Sequence, residues 1–73
     1  MIKELRTKKN YTQAEMAEKL QISLRHYVRI DNEQSIPRPD VFANLIKILD
    51  MNTMQIGEFI ENILNNKDNW IIW

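Results

Sequence analysis

A chain of 73 residues with ten basic and ten acidic side chains, 44% apolar residues and no cysteine reads as one compact domain of zero net charge, too small to enclose a large cleft. Without cysteine, disulfide frames and zinc-finger chemistry are excluded and a reducing compartment fits. The opening MIKELRTKKN lacks the apolar core of a signal peptide, and no run is long enough to span a bilayer, so no membrane contact and a cytoplasmic location are expected.

The first element carries Ile2, Leu5 and the stem of Lys9 on one helical face, with Asn10 as a left-handed terminator. The second begins at Thr12, which with Glu15 three residues on makes a capping box, while Tyr11 and Met16 stand where a hydrophobic staple would. Leu20 and Ile22 flank a turn, and Ser23 caps a third helix reading LRHYVRIDNE. Pro37 and Pro39 stop any helix before them, and Pro39 with Asp40 suits the first turn of a fourth, running to Leu49 with Phe42, Leu45, Ile46 and Leu49 as its apolar stripe. The fifth repeats the entry chemistry of the second: Asn52 caps, Gln55 answers, and Met51 with Ile56 forms the staple. Its stripe is Ile56, Phe59, Ile60, Ile63 and Leu64, and Met16, Met51 and Met54 are expected as core filler.

No run alternates with period two, so the fold class is all-α, a bundle of five helices. Residues 1–66 form the domain and 67–73 an apolar tail that belongs to it or to a dimer interface. Two short helices joined by about four residues are stable only inside a packed cluster. Pattern alone leaves open an ordinary bundle or a helix-turn-helix, whose second helix would enter a DNA major groove. Charge adds a slight bias, since residues 1–40 hold eight basic and six acidic side chains and residues 41–73 two basic and four acidic.

The segment IKELRTKKNYTQAEMAEKLQISLRHYVRIDNEQSIP resembles the Xre family, whose DNA-binding domains are similar to those of lambdoid phage Cro and repressor proteins. The resemblance is carried by Leu5 and Arg6, TQAEMAEKL at Thr12 to Leu20, Ile22 with Ser23, Arg29 to Asp31, Pro37 and LIKILDM, and covers residues 1 to about 60. It implies a lambda-repressor-like helix-turn-helix domain that binds double-stranded DNA, a transcriptional regulator expected to be a repressor acting as a homodimer on a palindromic operator. The residues themselves offer no paired carboxylates with a pocket, no nucleophile with a base and no metal-ligand set, so no enzyme, catalytic residue, cofactor or metal is expected.

Position by position, the resemblance puts Gln13 on a phosphate and against the recognition helix, and makes Ala17 the small residue that lets the second and third helices approach. The expected DNA-facing set is Gln13, Ser23, Leu24, Arg25, His26, Arg29, Asn32 and Arg38. Arg25 is the candidate to read guanine, because a guanidinium reaches O6 and N7 together, while Leu24 would touch a thymine methyl. Arg29 would read a base or hold a phosphate, and His26 would hold a phosphate or stand as a plain surface residue. Tyr27 and Ile30 fall on buried positions, with the Tyr27 hydroxyl reaching outward. Arg6 and Asp31 match a family ion pair.

The family favours glycine at the positions of Asn10, Gln21, Glu33 and Asp50, and this chain has glycine at none of them. Glu33 would also bring a negative charge towards the expected phosphate. The closing DNWIIW is an apolar patch that folds back on its own core or joins Ile63 and Leu64, through Trp70 and Trp73, in a dimer interface. An alternative of another class is an antitoxin-like or anti-regulator module that offers helix 5 and this tail to a protein partner.

Overall fold

The computed structural model describes residues 1–65 and the backbone of residues 71–72. The elements are α1 (Ile2–Lys8), α2 (Gln13–Leu20), α3 (Leu24–Asp31), β1 (Ser35–Ile36), α4 (Pro39–Leu49), α5 (Thr53–Asn65) and β2 (Ile71–Ile72). Five helices make an all-α bundle, as the apolar spacing requires.

Local chemistry sets the helix starts. Thr12 Oγ1 accepts from the Glu15 amide at 3.1 Å and Glu15 Oε1 takes the Thr12 amide at 2.8 Å. Asn52 and Gln55 make the same reciprocal pair at 2.8 and 2.9 Å. Each pair satisfies amides that a helix start otherwise leaves open. Ser23 accepts from the His26 amide at 3.1 Å, and Pro39 occupies the first turn of α4, where its missing N–H costs nothing.

Helix ends are set by four residues in the left-handed region: Asn10 (φ 61°), Gln21 (φ 57°), Glu33 (φ 56°) and Asp50 (φ 52°). These are the positions where the family favours glycine, and the chain keeps the turn geometry with Asn10 and Asp50, which tolerate it, and with Gln21 and Glu33, which resist it. The third helix ends at Asp31, two residues short of the expected LRHYVRIDNE, because Glu33 has already turned left-handed.

The core gathers Ile2, Met16, Leu20, Tyr27, Ile30, Leu45, Leu49, Phe59 and Ile63, each buried. Phe42 meets Phe59 edge to face with centroids 5.6 Å apart. Ala17, also buried, lies on α2, which packs against α3.

Several expectations are corrected. Met54 is 84% exposed rather than core filler, because it lies across α5 from the Ile56, Phe59 and Ile63 stripe. Lys9 follows α1 instead of lying along its face, and its Nζ pairs with Asp50 at 2.7 Å. Ile63, expected at a dimer interface, is only 3% exposed and is spent on the chain's own core, whereas Leu64 is 50% exposed. Extended structure was not foreseen, yet Ser35 and Ile36 pair in parallel with Ile71 and Ile72. That pairing attaches part of the tail backbone to the link between α3 and α4, while Trp70 and Trp73 lie outside the described residues. Among the described residues, no helix is long and apolar enough to cross a membrane.

Candidate functional site

Helices α2 and α3 are separated by Gln21 to Ser23. The left-handed Gln21 ends one helix, and the extended Ser23 starts the next. This short turn directs α3 across α2 with Tyr27, Ile30 and Asp31 buried inside. With 3.6 residues per turn, the opposite face presents Arg25, Val28, Arg29 and Asn32, flanked by Leu24 and His26. Arg25 and Asn32 are exposed and Leu24 is half-exposed, while His26, Val28 and Arg29 are half-buried.

Val28 was not among the expected residues. Its apolar character looks like core, and only its spacing of three from Arg25 and four from Leu24 marks it as outward.

Arg25 and Arg29, one turn apart, form no ion pair among the described residues. Arg38, at the start of α4, faces Asp40 at 3.5 Å in a largely exposed pair, of the kind that contributes little and is screened by salt. Glu33 does not oppose these cations. Its carboxylate turns inward and accepts from the Met1 amino group at 3.1 Å and from Asn62 Nδ2 at 2.9 Å. Burial lowers the pKa of that amino group, but the hydrogen bonds to Glu4 and Glu33 outweigh it and raise the value.

Behind the outer face stands a polar cluster around Asp31, whose side chain is wholly buried. Arg6 reaches it with Nε at 3.0 Å and Nη2 at 3.3 Å, and the same guanidinium donates Nη1 to the Tyr11 carbonyl at 2.9 Å. Gln13 Nε2 donates to Asp31 Oδ2 at 3.0 Å, and Tyr27 Oη donates to Oδ1 at 2.9 Å. The Tyr27 hydroxyl therefore points inward, which corrects the expected outward reach: the carboxylate one turn along α3 is its acceptor.

Burial works against an ionised Asp31, but the hydrogen bonds from Arg6, Gln13 and Tyr27 prevail and hold its carboxyl below the usual range. Tyr27 is pushed up, by burial first and then by the neighbouring Asp31 charge. The Asp31 hydrogen bond holds Arg6 in its charged form.

The cluster thus joins α1, α2 and α3 at one carboxylate. Gln13 sits where α2 begins, beside main-chain N–H groups that precede the first intrahelical acceptor and that favour an anion. Gln13, Arg25 and Arg29 belong to the α2–α3 unit and Arg38 follows it at the head of α4, whereas Leu64 lies near the end of α5.

A family model described as helix-turn-helix matches residues 2–55. No curated protein and no solved structure matches the chain.

Proposed function

Because the chain belongs to the Xre-like helix-turn-helix family and is a DNA-binding regulator of that type, we propose that it is a repressor that binds a palindromic operator as a homodimer. The observation that carries this reading is the outer face of α3. Two guanidiniums one turn apart are without ion-pair partners among the described residues, while the acids nearest in sequence, Asp31 and Glu33, are turned inward and paired.

In this reading α3 enters the major groove, which accommodates one helix. Arg25 reads guanine through O6 and N7, Leu24 and Val28 pack against thymine methyls, and Arg29 reads a second base or a phosphate. Gln13 and the first amides of α2 take one phosphate, and Asn32 and Arg38 take the backbone beyond the groove. Ser23 and His26, at the start of α3, touch the near strand.

Zero net charge leaves affinity to these few cations, so two copies are needed for tight binding. A two-fold pair sets two recognition helices about 34 Å apart, one turn of DNA. Leu64, half-exposed near the end of α5, is the described member of an apolar contact between copies, with Trp70 and Trp73 as further members. Residues 1–66 serve as the DNA-binding domain and 67–73 as its tail, in a cytoplasmic prokaryotic regulator that needs no cofactor.

The test is selection of bound sequences from a random duplex pool with the wild type and Arg25→Ala in parallel. The expected result is an enriched palindrome in which Arg25→Ala relaxes one position of each half-site. The absence of any enriched sequence at low salt overturns the reading and favours the protein-interaction alternative through α5 and the tail.

A further inference from the structure

Resting on the reading that Gln13 meets a phosphate, we propose that Tyr27 is the positioning residue for that contact, its buried hydroxyl fixing the Asp31 carboxylate that in turn fixes the Gln13 amide.

Tyr27 is fully buried and cannot touch DNA. Its ring belongs to the core, yet its hydroxyl is aimed at Asp31 Oδ1 at 2.9 Å on the same helix. A carboxylate on its own pivots easily, because the terminal torsion of aspartate is broad. Arg6 holds both oxygens, Nε on Oδ1 at 3.0 Å and Nη2 on Oδ2 at 3.3 Å, but from α1. Tyr27 restrains it from within α3, so the carboxylate plane is set relative to the helix that faces DNA.

An ionised carboxylate only accepts, so Gln13 must turn its NH2 group inward to reach Oδ2 at 3.0 Å. One N–H of that group is used on Asp31. The second remains for an acceptor outside, next to the first amides of α2, and a phosphate oxygen is such an acceptor. If the carboxylate swings away, the amide is free to turn over and present its carbonyl oxygen, which a phosphate rejects. The chain from Tyr27 through Asp31 to Gln13 therefore selects which end of the amide faces the nucleic acid.

The experiment is a double-mutant cycle of Tyr27→Phe and Gln13→Ala, with affinity measured on the duplex enriched by selection or, failing that, on random-sequence duplex. The side-chain amide exchange rate of Gln13 is followed by NMR in the free protein. Tyr27→Phe is expected to weaken binding about fivefold in the wild-type background and to have almost no effect once Gln13 is alanine, a coupling within the range for residues sharing one network. It is also expected to speed Gln13 amide exchange.

Equal losses in both backgrounds, or no loss with unchanged exchange, would overturn the proposal. Should Tyr27→Phe lower the Tm near the assay temperature, the cycle is repeated in a Gln21→Gly background, where the turn strain is relieved. If the wild type binds no duplex, the repressor reading fails separately. The amide measurement then decides: unchanged exchange overturns the positioning role, and a rise to the free-amide rate upholds it.

Discussion

The two faces of α3 carry charge under opposite rules. On the inner face a single carboxylate, Asp31, is out of water and receives hydrogen bonds from Arg6, Gln13 and Tyr27. On the outer face the cations of Arg25 and Arg29 stand without ion-pair partners among the described residues. A buried charge must be fully satisfied or it destabilises the fold, whereas a solvated charge is stable alone and stays available to a partner. One helix thus separates the charge that holds the domain together from the charges left to solvent, and Gln13 of α2 joins the inner side through Asp31.

The largest expected effect breaks the inner side. Asp31→Asn keeps the shape but removes the charge that three donors converge on, and should cost about 3 kcal/mol of stability in chemical denaturation. An unchanged midpoint would remove Asp31 from the centre of the fold. The same cluster predicts a pH signature. A carboxyl held low in the folded state contributes stability that is present above its ordinary value of 3.8 and is lost as pH falls through the depressed folded value. Tyr27 is held high, so its contribution is present below its ordinary value of 10.0 and is lost as pH rises through the folded value. Denaturation midpoints followed against pH should fall on both flanks, and Tyr27→Phe should remove the alkaline contribution of Tyr27.

A smaller effect comes from the turn that aims α3. Gln21 is held at φ 57°, and Gln21→Gly should raise stability by about 1 kcal/mol in the same assay. Because Glu33 carries two side-chain contacts besides its left-handed backbone, Glu33→Gly should gain less than Gln21→Gly. The smallest effect sharpens the outer side. Arg38→Ala should weaken DNA binding by a similar factor for all sequences and reduce the salt slope by about 1, with the melting temperature unmoved. A change in sequence preference instead would move Arg38 from the backbone to a base.

Legibility followed the range of the interaction. The capping boxes at Thr12 and Asn52 were readable because donor and acceptor lie three residues apart and need no knowledge of the rest of the fold. Arg6 with Asp31, 25 residues apart, was readable only through resemblance. The inward turn of Tyr27 and Glu33 was not readable, since it depends on which neighbour lies across a packed interface. Met54 was misplaced because residue type signals burial without fixing the phase of a helix. The pairing of Ser35–Ile36 with Ile71–Ile72 leaves no trace in a sequence that lacks a period-two run. The outer-face residues were named from family positions, and Val28 was overlooked because an apolar side chain on the outward face of a helix looks like core.

The reciprocal side-chain caps at the starts of α2 and α5 also bear on how quickly the fold assembles. Starting a helix is its unfavourable step, because several torsions are fixed before hydrogen bonds repay them. Caps formed by residues only three apart ease that step while the rest of the chain is still open. With turns of a few residues joining α2 to α3 and α4 to α5, refolding on the order of microseconds to milliseconds is expected, as for helical bundles rich in local contacts. A chain built this way is expected to regain the α2–α3 surface soon after a transient unfolding.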